Sequence, residues 1–422
     1  MRAFLLTGIL RGSVFAAMLA AFIPAAMAAG TDAPNMDMSH MGMSHMHGAP
    51  QTCEDISLAC AATATPFFAQ DGTLWIAARV GDKIFVTRSR DHARTFSDPV
   101  LIETGAVTLD WGPDARPKIV VDRAGLVTVA YAIFRDKAFN GEVFTTQSKD
   151  GGKTFLSVKP ITDVQESQRF ADIALDADGR VFAAWLDKRN RVPFKAEGKD
   201  YPGAGLAFAW ADDKGADFSK ARIALDNTCE CCRIAVAFKG PGQPVVLFRD
   251  IFPGDIRDHA VITFESPEKP GPVRRVSVDD WQANACPHHG PSLAIAADGS
   301  YHAAWFTQGK ARQGLFYARS TDAGEHFSEP LALGPAGQVL SRPFVLATGT
   351  TIRLAWKAFD GVQTNIMSMT SHDGGASFSV AHVVSSTMKN SDHPILVGEG
   401  EHVFLSWQTQ EGYRLISLDD AS

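Results

Sequence analysis

The feature that most constrains this chain is a repeat. From about residue 60 onward one pattern returns at intervals of roughly 50 to 60 residues. An apolar run leads into an Asp/Gly turn, then a second run ending in Trp or another large residue, then a few polar residues and a third run. The second runs cover 74–80, 127–134, 181–186, 244–249, 301–306, 352–357 and 402–408, and Trp185, Trp305, Trp356 and Trp407 take equivalent positions in four of them. The turns before them include Gln70-Asp71-Gly72, Asp176-Ala177-Asp178-Gly179 and Ala297-Asp298-Gly299. Short strands at even spacing cannot bury their faces one unit at a time, so they must stack, and units of this length are propeller blades. The first runs, near 65–69, 118–122, 170–176, 234–238, 292–296, 343–347 and 395–398, are the innermost strands. They predict an all-β propeller of four-stranded antiparallel blades, seven by count, or six if the first and last units merge. Residues 413–418 and a segment near 55–58 are expected to complete the last blade, because an open sheet edge invites aggregation.

A second motif closes many of the units. Ser148-Lys-Asp150-Gly-Gly152-Lys-Thr-Phe155, Ser320-Thr-Asp322-Ala-Gly324-Glu-His-Phe327 and Ser371-His-Asp373-Gly-Gly375-Ala-Ser-Phe378 are complete; Ser89 to Phe96 lacks the glycine and Ala211 to Phe218 lacks the serine. Asp caps such a turn through backbone N–H groups, Gly supplies positive φ and Phe plugs the gap between sheets. The role is structural. The fourth unit, around His259, has lost its box. This motif resembles the Asp box, or BNR repeat, of sialidases and their relatives. The resemblance covers roughly residues 60 to 418 and implies a sialidase-like propeller; it does not imply sialidase activity, because function sits in sites carried by folds.

The chain of 422 residues is 45% hydrophobic, 21% charged and carries a net charge of −7 without a basic face, which excludes nucleic acid as the main partner. At the N-terminus, Arg2 and Arg11 flank an apolar run over 14–23, and Ala26-Met27-Ala28 fits a cleavage site. The reading is a signal peptide over 1–28, a Met/His-rich tail over 29–51 and a propeller over 52–422, exported to a periplasm with no membrane span after cleavage. The tail holds Met36, Met38, His40, Met41, Met43, His45, Met46 and His47, five of eleven methionines and three of thirteen histidines. Thioether with imidazole favours copper, as Cu(I). The alternative is a low-complexity linker. Similar stretches occur in periplasmic copper-resistance proteins, and this tail resembles them.

Six cysteines fall in the exported part. Cys53 and Cys60 are expected to form a local disulfide. The others lie in loops that enter innermost strands, at the mouth of the central channel: Cys229-Glu230-Cys231-Cys232-Arg233 before the fourth blade, Cys286-Pro287-His288-His289 before the fifth. Cys229, Cys231, Cys232, Cys286, His288 and His289 from neighbouring blades suit Cu(I), or Zn(II), as ligands. A disulfide between the loops and a redox-active thiol pair are the alternatives.

The resemblance to sialidases also implies three arginines gripping a substrate carboxylate, a tyrosine nucleophile and an acid/base aspartate. Arg116-Pro117 resembles the first arginine, without the residue that normally separates it from proline. Arg233 and Arg342 occupy matching loop positions, with Arg169 and His393 nearby. Ser341 and His393 stand near the channel and no tyrosine does. The leading reading is a copper-binding propeller for copper handling or resistance, without hydrolysis, in contact with a periplasmic or outer-membrane copper-handling protein. The alternatives are a sialidase or related glycan hydrolase or glycan-binding protein, and a scaffold for a protein partner.

Overall fold

Each repeat becomes an antiparallel sheet in a computed structural model that describes residues 53–199, 201, 203–211, 217–283, 288–335 and 337–419. Six sheets have four or more strands: the first blade over 63–102, the second over 108–160, the third over 168–228, the fourth over 235–275, the fifth over 292–332 and the sixth over 339–387. The seventh, over 395–417, has three. In every blade the innermost strand touches that of the next, and the first touches the last, so the ring is closed with seven blades. The predicted innermost strands appear at Thr63–Phe68, Lys118–Val121, Gln168–Leu175, Ala235–Gly240, Ser292–Ile295, Val339–Thr348 and Ile395–Glu399.

One expectation about closure is corrected. Residues 55–58 form turns and not a fourth strand for the last blade. That blade's outer strand, Gly412–Ser417, is instead covered by packing: Ile56, Leu58 and Cys60 sit in one cluster with Tyr413 and Leu415. The Gln408 amide donates to the Leu58 carbonyl at 2.9 Å, and the Cys53–Cys60 disulfide closes the covering turn. Apolar contact replaces the missing ladder. Among the described residues no strand crosses from one end of the chain into the other end's blade.

The second strands are buried end to end because blades cover both of their faces; Val181–Asp187 has no exposed residue. Trp185, Trp305, Trp356 and Trp407 lie at 0 or 1% exposure and fill the gaps between sheets. Three of their indole N–H groups find acceptors: Asp187 at 3.0 Å, Asp279 at 2.7 Å and the Asp392 carbonyl at 3.1 Å. Around the channel, side chains of one blade bond the inner strand of its neighbour. Thr65 donates to the Pro117 carbonyl, Asp172 accepts from Val236 N–H and Ser292 from Val345 N–H.

The Asp boxes behave as the sequence predicts. In each, the serine hydroxyl donates to the aspartate and accepts the N–H four residues on, while the aspartate accepts the N–H of the residue four beyond itself. The box at 89–96 keeps this pattern without its glycine, with His92 and Ala93 held at φ 54° and 65°. Where glycine is present it meets two demands. Gly152 has φ 78°, and a Cβ on it would stand 2.5 Å from the Trp75 ring of the preceding blade. Residues 212–216 of the serine-free box fall outside the described residues.

Candidate functional site

Innermost strands all start on one face of the ring, so the loops entering them converge there. Asp114 and Arg116 precede the second blade's inner strand, Cys229 to Arg233 the fourth's, His288 and His289 the fifth's, and Asp392 and His393 the seventh's. Arg342 lies inside the sixth blade's inner strand, at a bulge between Ser341 and Phe344. Its φ of 56° is unusual for a side-chain-bearing residue.

The expected arginines do meet, around buried carboxylates. Arg233 and Arg342 each donate to the same Asp114 oxygen at 3.0 Å, and Arg342 also donates to the His288 carbonyl. Arg116 donates to Asp392, whose other oxygen accepts the Ala64 N–H at 3.2 Å. The guanidinium of Arg233 reaches His393 Nδ1 at 3.1 Å. Asp114, Arg116, Asp392 and His393 are all under 9% exposed. In this connected network three guanidinium groups face two carboxylates, and Lys357 donates to the Ser391 carbonyl beside it. The site holds an excess of positive charge away from bulk water.

That field sets the protonation states. Burial alone raises the Asp114 pKa, but Arg342 and Arg233 outweigh it and hold the carboxyl at about 2. Burial and then Arg342, Arg116 and Arg233 push the His393 pKa well below that of free histidine, so the ring is neutral. Burial followed by Arg342 likewise holds His289 down at about 3. Burial lowers Lys357 to about 8. His393 Nε2 and His289 Nδ1 are buried and have no partner. His393 Nδ1 accepts the Arg233 N–H, so the neutral ring carries its proton on Nε2 and is a hydrogen-bond donor at that atom.

Arg169 stands apart from that network. It grips Asp110 with two bonds, at 2.7 and 3.1 Å, and its guanidinium lies 4.9 and 4.5 Å from the Phe134 and Phe170 rings. It lines a cleft of about 180 Å³ with Phe139, Ser167, Lys188, Glu230 and Cys231. Lys188 and Glu230 form an ion pair on the cleft wall.

Cys231 connects the cleft to a group of thiols. The sulfurs of Cys229, Cys231 and Cys232 all lie within 4.8 Å of one another and are buried, with Cys229 and Cys231 at 3.4 Å. Hydrogen bonds from Cys231 and then Cys232, helped by Arg249 and Arg257, hold the Cys229 thiol well below its ordinary pKa against the effect of burial. The hydrogen bond to Cys229 pushes Cys232 up. His288 and His289 are not members of this cluster. Instead His289 stacks on Phe306 at 4.2 Å, because the Arg342 and Arg249 guanidinium groups hold its loop by the carbonyls. Cys286 and the tail residues Met36, Met38, His40, Met41, Met43, His45, Met46 and His47 lie outside the described residues.

The five tyrosines are committed elsewhere. Tyr131 stacks on Phe144, Tyr201 donates to Asp226, Tyr301 meets Thr263, Tyr317 meets His302 and Tyr413 meets Ser406. None joins the mouth network. Sequence reasoning missed the structural weight of Asp114 and Asp392, although both stand one or two residues from a named site residue. It also missed Arg249, Arg257 and Lys357, which sit in or beside strands and carry no local signature.

No model of a known protein family matches the chain, and no curated protein does. Among solved structures it is similar to a polysaccharide lyase, "PL25-Ulvanlyase", with a TM-score of 0.56 and 10% identity over 85% of this chain and 95% of that one. It is similar to polysaccharide lyase Uly1, with a TM-score of 0.51 and 10% identity over 85% and 90% of the two chains. A Hadza microbial sialidase, Hz136, aligns with a TM-score of 0.49 and 14% identity over 82% and 73%. At these identities the likeness to the two lyase structures shows the fold alone, an all-β propeller, and the seven blades are those of this chain's own sheets.

Proposed function

We propose that this protein is an exported propeller that binds an acidic saccharide, one bearing a carboxylate or sulfate, across the mouth of its channel. The observation that carries this is the buried excess of guanidinium over carboxylate among Arg116, Arg233, Arg342, Asp114 and Asp392. An anionic group completes that balance through charge-assisted hydrogen bonds. The cleft beside Arg169 and Lys188 gives a longer chain room to extend on the same face. One similar lyase structure is titled as bound to -[GlcA(1-4)Rha3S]-, a saccharide with a uronate and a sulfate. The comparisons favour glycans over copper handling, so the leading sequence reading gives way to its alternative. The occupied tyrosines argue against sialidase chemistry with a tyrosine nucleophile at this site, and neutral His393, with its proton on Nε2, offers a hydrogen-bond donor there.

Calorimetric titration with uronate-containing, sulfated, sialylated and neutral oligosaccharides tests the proposal. One acidic class should bind at least about tenfold more tightly than its neutral counterpart, and Arg342→Gln should remove that preference. Lys188→Ala, on the cleft wall, probes the same face without disturbing the buried network and should weaken binding by a smaller factor. Equal affinity for acidic and neutral ligands overturns the reading. Ultraviolet absorbance of an unsaturated uronate, or release of sialic acid, in the same mixtures reports whether binding leads to cleavage.

A further inference from the structure

Glu230 and Cys231 line the cleft beside Arg169, but the sulfurs of the Cys229-Glu230-Cys231-Cys232 loop have no part in the arginine network. Cys229 N–H donates to the Arg249 carbonyl at 3.0 Å, which anchors the loop on the fourth blade's second strand. Glu230 turns outward to Lys188, and all three sulfurs turn inward into a small buried cluster against which, among the described apolar residues, Ile251 packs. Such a cluster is poor as a core. It is well shaped as a ligand set.

We propose that Cys229, Cys231 and Cys232 form a three-thiolate site for one Cu(I) ion. Metal–sulfur bonds of about 2.3 Å in a trigonal arrangement set the sulfurs about 4 Å apart. The three sulfurs already lie within 4.8 Å of one another, and one pair stands at 3.4 Å, so the ion enters with side-chain adjustments alone. Thiolates select Cu(I), and three ligands satisfy it, whereas structural Zn(II) takes four. Three thiolates around one monovalent cation carry two negative charges, and two guanidinium groups stand near them, one of which, Arg257, is also paired with Asp255 at 3.1 Å. Arg257 donates to Cys229 Sγ at 3.6 Å; Arg249 is buried, acts on the Cys229 thiol and has an unpartnered Nε.

Entry is provided by the cleft, whose wall includes Cys231. Binding moves no electrons: Cu(I) arrives reduced, three S–H bonds give way to three Cu–S bonds, and three protons pass to solvent. The Met/His segment at 36–47 offers a weaker thioether set for the same ion, so the experiment must separate the two.

The test uses the full chain, reduced and anaerobic, titrated with Cu(I) against a chromogenic Cu(I) chelator. A variant with the five tail methionines changed to Ser should keep one tightly bound Cu(I) per chain. In Cys229→Ser/Cys232→Ser the affinity should fall by at least about 100-fold. Metal-free thermal melts of both variants report whether each is folded. X-ray absorption of the Cu(I)-loaded tail variant supplies a readout that needs no cysteine substitution: three sulfurs at one short distance are expected. Unchanged affinity in a folded double-serine variant overturns the proposal. So does a first shell with nitrogen or fewer than three sulfurs, or displacement of Cu(I) by equimolar Zn(II). Saccharide binding at the arginine network is independent of each of these outcomes.

Discussion

The two faces of the ring solve the same problem in opposite ways. On the Asp-box face, every turn satisfies its own polar groups within a few residues, as at Ser371, Asp373, Gly375 and Ser377. On the mouth face the charged groups are paired across the chain. Asp114 is bonded to Arg233 and Arg342, residues 119 and 228 positions away, and Arg116 to Asp392 across 276. Local satisfaction makes interchangeable modules, each lost at modest cost. Long-range satisfaction makes one cooperative unit in which every charge depends on the whole ring.

The largest expected effect therefore lies at the mouth. Asp114→Ala leaves two buried guanidinium groups facing each other and should cost about 3–5 kcal/mol, read as a shift in urea unfolding midpoint. Changing Arg116 to Met and Asp392 to Leu together should be far milder than either change alone, and a double-mutant cycle measures that coupling. Simple additivity of the two would break the comparison.

Acid should act next. His302, in the fifth blade near the box face, bonds Ser300 and Tyr317, and burial lowers its pKa to about 4. A base whose folded pKa lies below its unfolded value, about 6.5, binds more protons when unfolded. Stability is thus full above pH 6.5 and falls as pH drops toward 4, by a few kcal/mol at most. His302→Gln should flatten that part of the stability profile relative to the parent chain.

The box face should show smaller and additive losses. Gly152→Ala pushes a methyl group against Trp75 at a positive φ and should cost about 1–3 kcal/mol. Ser371→Ala removes one buried hydroxyl that serves two bonds and should cost about 1 kcal/mol. Because these sites share no partner, the double variant should equal the sum of the single ones by differential scanning calorimetry. A strong interaction between them would show that the boxes are less modular than their geometry indicates.

The same contrast explains what could be read from the sequence. Strands, turns and boxes repeat, so one recognised copy locates the rest, and even the glycine-free turn at His92 and Ala93 obeys the pattern. Arg116, Arg233, Arg342 and His393 were legible as residues of the channel mouth because each stands at or beside the start of an inner strand. Their partners were not ranked, since an aspartate beside an arginine in sequence says nothing of which arginine it will face. Arg249 and Arg257, which supply the countercharge to Cys229, belong to the fourth blade's strand and its hairpin and have no equivalents in other repeats. The three sulfurs gather as their spacing implied. The histidines of the next loop do not, because Phe306 and the two arginines hold that loop elsewhere.

Ring closure without a shared blade has a consequence for synthesis. The seam between first and last blades is held by Asp392, which reaches both Ala64 and Arg116. A chain emerging from its N-terminus carries Arg116 long before position 392 exists, and a product truncated before its last blade never receives that carboxylate. Such copies are left with an open ring and an uncancelled charge at its rim.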